Sequence, residues 1–396
     1  MIKSNFPLDN TFLSLIVNES LLNFIGNINC KLKFDGNSVE VKFSESLKET
    51  FIKVYLSINK EISIGMVRND RYFIRDFKKY FGVDDLNIRQ TFHDLLAKVK
   101  ENVNRFNFQQ EDIHLSLEIK GDLVLFEPNK NASITAPQIY KIDRFTGYTS
   151  AETTFTTKQL KLKYSGETAL LCLLGLISSH VLSKREGDNW CYYFLFFSPE
   201  EILKLYLEQN RNLIRKYFFV KDKAIEVLRD AYKVMTSSEI ILLELALNLK
   251  IQELLSKYNF DKISFILFKV AREGQDSYKI YEQIPVIIYR KITFIEIVKK
   301  YFKNSEEFIK RLIELFENKR SRLWMALQNK DQSTQYPEGD NIFKAIMGLY
   351  RFIILGDLQG YYQFTREIFN CYRIHENSNK TIANYYKHIL DRLKVY

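Results

Sequence analysis

Paired cysteines are missing from this sequence. Cys30, Cys172, Cys191 and Cys371 lie far apart, with no CxxC and no His/Cys spacing able to set four ligands round one metal. Four reduced and mostly buried thiols, as in a cytosolic protein, are therefore expected. A long apolar run is missing too. The longest, Ala169 to Leu182, includes Ser178, Ser179 and His180. It falls short of the roughly 20 residues that a bilayer core demands, so a buried helix and no membrane partner are expected. Residues 1 to 10 carry Lys3, Pro7 and Asp9 before any apolar run, without the charged head and apolar middle of a signal peptide. The expected localisation is cytoplasmic.

Catalytic signatures are equally scarce. The chain holds no GxGxxG, no HExxH, no GxSxG and no GxxxxGK followed by Ser or Thr, so nucleotide hydrolysis, zinc hydrolysis and the common serine chemistry lack a recognisable site. The expectation is a protein that is not an enzyme and needs no metal or cofactor. Five histidines are present, His93, His114, His180, His375 and His388. Arg89 and His93, four residues apart on one helical face, have the acid/base and charge-stabilising groups that RNA cleavage uses, but the spacing is also that of an ordinary surface pair. Adjacent carboxylates at Asp84-Asp85, Glu111-Asp112, Glu200-Glu201 and Glu306-Glu307 mostly sit where helix starts and turns favour acids.

What the sequence does contain is positive charge and enough apolar material for a core. Of 396 residues, 46% are hydrophobic, and 58 Lys and Arg against 48 Asp and Glu leave a net charge of +10. That excess favours polyanions over acidic partners. The fold class read from periodicity is α+β: an N-terminal mixed domain with antiparallel hairpins over residues 1–160, a mainly helical region with a small sheet over 161–292, and a helical bundle over 293–396. Lys31 to Phe34 and Val39 to Phe43 alternate about Asp35-Gly36-Asn37, and Ile113 to Ile119 faces Leu123 to Phe126 across Lys120-Gly121-Asp122. Both patterns predict hairpins. Asp70 to Asn104 reads as helix, with Phe73, Phe77 and Tyr80 on one face.

Downstream, Ser165 predicts a cap for the helix Ala169 to Leu182. Ser198-Pro199-Glu200-Glu201 starts another, Ile202 to Phe218, with further helices over Lys223 to Met235 and Ser238 to Lys257. The aromatic block Trp190 to Phe197 reads as a buried strand, sharing one sheet with Ile263 to Val270 and Tyr278 to Tyr289. The bundle is expected to comprise Thr293 to Lys303, Glu306 to Gln328, Ile342 to Leu355, Gly360 to Phe369 and Ile382 to Val395.

Basic residues interleaved with aromatics and amides are the strongest functional signal. Arg215 and Lys216 adjoin Tyr217-Phe218-Phe219, and Lys319, Arg320 and Arg322 lie mainly outside the apolar stripe of the Glu306 to Gln328 helix. Such arrays neutralise phosphates while aromatics stack on unpaired bases. They are also what solvated helix faces over an aromatic core look like. The polar stretch with Asn329, Lys330 and Gln332, and another from Arg373 to Lys380, offer amides that can read base edges, or serve as plain linkers.

Ala136-Pro137-Gln138-Ile139-Tyr140-Lys141, continuing to Thr146-Gly147-Tyr148, then Ser165 to Leu176 with its Leu173-Leu174-Gly175-Leu176 run, then the aromatic strand leading into Ser198-Pro199-Glu200-Glu201, together resemble the large subunit of type I-A CRISPR Cascade. The resemblance covers about a third of the chain and involves no catalytic motif. It implies a non-catalytic subunit of an RNA-guided surveillance complex. Its partners would be crRNA, target DNA, the other Cascade subunits, and the helicase and nuclease docked on it. It would read the protospacer-adjacent motif and help open the duplex, the target sequence itself being read by the guide. On that reading Arg144, Lys158, Lys161 and Lys163, which flank the matching stretch, would track a phosphate backbone. Two other readings stay open: a scaffold or interaction protein of a mobile element without nucleic-acid contact, and a CRISPR-associated ribonuclease relying on Arg89 and His93 or on carboxylates.

Overall fold

The computed structural model describes residues 1–58, 60–83, 91–120, 123–125, 133–145, 161–186, 189–232, 251–252, 254–290, 292–317, 321–329 and 334–393. The fold is α+β. It divides into two compact units, Met1–Phe219 with Ser264–Ile287, and Val220–Ile263 with Ile288–Tyr396. Where the sequence suggests three consecutive segments, residues 161–219 thus belong with the N-terminal unit, joined there by strand residues from beyond position 263.

The first unit is built on two helices that are apolar all round, α1 (Phe12–Asn27) and α5 (Gly166–Ser179), every residue of the latter being buried. A helix without a polar face belongs inside a core. A Cβ on Gly175 would lie 2.3 Å from the Ile16 carbonyl oxygen, so at this crossing only glycine lets the two backbones meet. Between α1 and α5 in the chain come α2 (Leu47–Ser57), α3 (Arg71–Phe81) and α4 (Phe92–Asn102). The helix expected over Asp70 to Asn104 therefore contains two described helices, α3 ending at Gly82 in a left-handed cap with φ +66°.

Among the described residues there are three four-stranded sheets. The first, in order β2-β3-β1-β4, joins Cys30–Phe34, Val39–Phe43, Ile2–Ser4 and Ile113–Leu115, with β1 antiparallel to β3 and parallel to β4. Its β2–β3 hairpin turns where expected: Asp35 Oδ1 accepts from the backbone N–H of Asn37 and Ser38 at 3.0 and 2.7 Å, and Gly36 takes φ +94°.

The second expected hairpin needs correction. Ile113 to Ile119 does not run as one strand. Its first half is β4, while Glu118–Lys120 is β5 of a second sheet, β5-β6-β8-β7, pairing antiparallel with β6 (Leu123–Leu125). There β6 runs parallel to β8 (Lys161–Tyr164), which pairs with β7 (Ile134–Thr135). Alternation alone cannot show that a run changes sheets half-way.

The third sheet, β12-β11-β10-β9, is assembled as the aromatic and β-branched runs suggest, from Ser277–Tyr289, Lys262–Glu273, Asn189–Phe197 and His180–Glu186. Phe194 and Phe196 of β10 and Phe268 of β11 close edge-on round Phe12 of α1, with centroids 5.1 to 5.4 Å apart. The apolar run over Ala169 to Leu182 is helix only to Ser179, and His180 opens β9. Similarly, α6 (Pro199–Glu208) stops where Gln209 turns left-handed at φ +47°, so the run from Ile202 to Phe218 is two helices, the second being the start of α7 (Arg211–Tyr232). Of the helix expected over Ser238 to Lys257, only the last residues fall among those described.

The second unit contains α8 (Ile292–Tyr301), α9 (Ser305–Glu317), α10 (Arg322–Gln328), α11 (Gly339–Leu355), α12 (Leu358–His375) and α13 (Lys380–Arg392). The stretch Glu306 to Gln328 is thus divided between α9 and α10. Phe294, Phe302, Phe308, Phe352 and Tyr361 form its aromatic core. Helices α11 and α12 touch backbone to backbone. A Cβ on Gly348 would lie 2.6 Å from the Gly360 carbonyl oxygen, and one on Gly360 would lie 2.4 Å from that of Gly348. The four cysteines are free thiols, three of them buried.

Candidate nucleic-acid interface

Helix α3 forms because its residues separate by face. Phe73, Phe77, Tyr80 and Phe81 turn into the core, and Phe77 and Phe81 pack on Phe106. At 100° per residue, Arg71, Arg75 and Lys78 fall together on the other side. Arg68 precedes them in the turn that starts the helix, and Arg272 arrives from the end of β11. These five cations line one cleft of about 770 Å³, together with Asp70, Gly274 and Gln275.

The floor of the cleft is held by backbone contacts. The segment leading to α3 lies against the β11–β12 turn, with the Arg68 N–H donating to the Gln275 carbonyl at 2.9 Å. Arg272 Nη2 donates to the Met66 carbonyl at 2.8 Å, and Tyr278 donates its hydroxyl to that of Gly65. A Cβ at Gly65 would sit 2.2 Å from Arg272 Nη2, so a larger residue there would displace the guanidinium. Asp70, 1% exposed, accepts from the backbone N–H of Val67 at 2.9 Å and of Gln138 at 2.7 Å. Burial pushes its carboxyl up to about 6, against the lowering pull of those donors and of Lys141 and Arg272.

The cations differ in what already holds them. Arg68 makes a bidentate pair with Asp276 at 2.8 and 2.7 Å, and Arg75 pairs with Asp76 at 2.9 Å, both arginines being well exposed. Exposed pairs of this kind contribute only about 0.2–1 kcal/mol and yield readily to a phosphate. Arg71, Lys78 and Arg272 make no ion pair among the described residues. The Arg71 and Arg75 guanidinium groups lie 4.9 and 5.4 Å from the centre of the Tyr72 ring, and Arg71 also donates to the Tyr72 hydroxyl. Fixed, solvated guanidinium groups in a concave surface bind oxyanions by paired N–H donation.

Of the residues picked out from sequence, those whose side chains are described, Lys163, Arg215, Lys216, Arg322 and Asn329, do not line this cleft. Lys163 is half-buried on β8. The backbones of Arg144 and Lys161 are described but their side chains are not, and Lys158, Lys319, Arg320, Lys330 and Gln332 lie outside the described residues. Arg215 donates Nε to the Gly26 carbonyl at 2.7 Å, tying α7 to the last turn of α1. Lys216 is exposed and engaged. Asn329 closes α10 by donating to the Met325 carbonyl at 2.8 Å.

Arg322 is internal to the second unit. Its Nε donates to Glu338 at 2.6 Å, its Nη2 to the Gln335 carbonyl, and its guanidinium lies 4.3 Å from the Tyr336 ring centre. Glu338 is fully buried and also receives the Tyr386 hydroxyl at 3.0 Å and faces His375 Nε2 at 3.0 Å. Hydrogen bonding, from Arg322 above all, holds its carboxyl below the usual range in spite of burial. Of the ribonuclease pair, His93 is exposed on α4 and Arg89 lies outside the described residues. No group of three or more His, Cys, Asp and Glu suited to a metal occurs among the described residues.

The α3 cations escaped the sequence reading because only the apolar half of that helix was used. The signal was present: Arg68, Arg71, Arg75 and Lys78 recur every three or four residues. Arg272 carried none, being some 200 positions away. Over 381 residues the chain is 41% identical to an uncharacterized protein of Archaeoglobus fulgidus, an alignment spanning 96% of this chain and 94% of that one. The chain belongs to that protein's family. No model of a known protein family matches it. No helix among the described residues is long and apolar enough to cross a membrane.

Proposed function

We propose that the protein is a non-catalytic nucleic-acid-binding protein of the cytoplasm, and that the α3 cleft is its phosphate-binding surface. The observation that carries the proposal is the convergence of Arg68, Arg71, Arg75, Lys78 and Arg272 on one cleft, three of them without an ion pair among the described residues. A net charge of +10 supports it by drawing polyanions to the chain at long range. The specific form of the proposal is the large subunit of a type I-A Cascade-like complex, with crRNA, target DNA, the other subunits, and the helicase and nuclease as partners. That form rests on the sequence resemblance. The cleft supplies the sequence-independent backbone contacts such a subunit needs.

The test is the affinity of the purified protein for a 20-bp duplex between about 50 and 200 mM salt. With four or five phosphates neutralised, log K should fall with log salt at a slope near −4, roughly 0.9 per phosphate. Exchanging both Arg71 and Arg75 for Glu is expected to weaken binding at low salt by at least tenfold and to flatten the slope by about 2. A wild-type slope near zero, or an unchanged slope in the double variant, would sink the assignment of the cleft.

A further inference from the structure

Helix α12 has a face that the aromatic core does not use. Tyr362 and Phe369 are about half exposed, and Arg366 and Arg373 are also exposed. Their spacing of 4, 3 and 4 residues places all four within about 60° of one another, in a stripe ~16 Å long. Aromatic ring and guanidinium alternate along it. At its far end, Tyr372 stacks beside Phe369 with centroids 5.9 Å apart, and the α12–α13 turn presents Asn377, Ser378 and Lys380 to solvent. Glu367 is taken up by Arg366 at 3.0 Å and Glu376 by the Tyr372 hydroxyl at 2.8 Å. Arg373 and Lys380 make no ion pair among the described residues.

Two exposed aromatics on a soluble helix are unremarkable when they stand alone. Here each is flanked by an arginine on the same line, and the opposite face of the helix is fixed by the Gly348–Gly360 contact and by buried Phe364 and Cys371. The geometry points to a stacking platform for unpaired bases of single-stranded nucleic acid, Tyr362 and Phe369 taking the bases and Arg373 and Lys380 the phosphates. Arginine and aromatic rings in alternation suit a strand whose bases are splayed, whereas a paired duplex keeps its ring faces inside its own stack. The occupant is a polyanion because Arg373 and Lys380 make no ion pair among the described residues, while the two carboxylates of the stripe are internally engaged. This site is separate from the α3 cleft and does not depend on that assignment.

The experiment compares the full-length protein with Tyr362→Ala/Phe369→Ala and Tyr362→Phe/Phe369→Tyr. Anisotropy is read on labelled oligo-dT and oligo-rU of 20 nucleotides and on a 20-bp duplex. Both side chains are solvent-facing, so the fold is expected to survive, as circular dichroism would verify. Removing stacking on two bases should weaken both single strands by at least about 25-fold, fivefold per ring, with the aromatic-for-aromatic variant within about threefold of wild type. Duplex affinity should stay within twofold and keep its salt slope. A loss on oligo-rU alone or oligo-dT alone would narrow the ligand to one of the two strands. Unchanged single-strand affinity in the alanine variant, the result expected if the face takes a protein segment instead, would overturn the proposal. An equal loss for duplex and single strands would overturn it too. Because charge reversal at Arg71 and Arg75 acts on the duplex slope and these variants on the single strands, failure of either site is distinguishable from failure of the other.

Discussion

Arg71 and Arg322 look alike in the sequence, each an arginine at the first residue of a helix and each set against a tyrosine ring. The structure gives them opposite roles. Arg322 donates to a fully buried carboxylate, a carbonyl and nothing in solvent that matters, so it works as a rivet within the second unit. Arg71 donates to one hydroxyl and otherwise faces water in a cleft shared with four other cations. Arg322 is taken up by Glu338, 16 positions away, whereas Arg71 makes no ion pair among the described residues.

The difference can be broken at either end. Arg322→Met leaves Glu338 buried without its nearest cation, and removal of one partner of a buried pair costs about 3–5 kcal/mol. Denaturant unfolding should show that loss in the second unit, and a change under 1 kcal/mol would mean that His375 and Tyr386 alone satisfy Glu338. The next effect concerns Asp70, the one carboxylate among the described residues that line the basic cleft. Its folded carboxyl sits near 6, above an unfolded value near 3.8, so the folded state holds the extra proton. Its contribution is most favourable below about pH 4 and is lost as pH rises through about 6, to the order of 3 kcal/mol at 1.36 kcal/mol per unit. Relative to Asp70→Asn, which does not titrate, the wild type should therefore lose stability between pH 4 and 7. A flat difference would show Asp70 to be no more protonated folded than unfolded. The smallest effect belongs to Arg71→Glu, which should change unfolding free energy by less than about 0.5 kcal/mol, since an exposed side chain with no ion pair among the described residues holds little together. A loss as large as that of Arg322→Met would erase the contrast.

Much of the scaffold was legible because it obeys local rules. Asp35-Gly36 marks the β2–β3 turn, Ser165 and Ser198 accept from the backbone of Thr168 and Glu201 as N-caps should, and the run Trp190 to Phe197 is too apolar on both faces to be anything but an inner strand. Local rules failed where tertiary packing overrode them. Gln209 breaks a helix without being glycine or proline, and Ile113 to Ile119 divides between two sheets although its alternation is continuous.

Of the candidate site, the α3 face was readable from its spacing and went unread, while the partner strand was not readable at all. What brings Arg272 beside α3 is the long-range contact of the segment before that helix with the end of β11 and its turn, Arg272 on the Met66 carbonyl and Arg68 on that of Gln275, and no window of sequence contains it. Conversely, Arg215, Arg322 and Asn329 carry the same residue types as a phosphate or base reader but serve as helix ties. Composition cannot separate the two uses.

The glycine contact between α11 and α12 has a consequence beyond packing. Two backbones in direct touch cannot slide or tilt without one helix colliding with the other, so α12 is locked on its inner side along the very turns that carry Tyr362 and Arg366 outward. A ligand meeting that outer stripe finds the rings already in place. The loss of freedom on association then falls almost wholly on the ligand, which is how a small surface of a few side chains can hold a floppy strand at all.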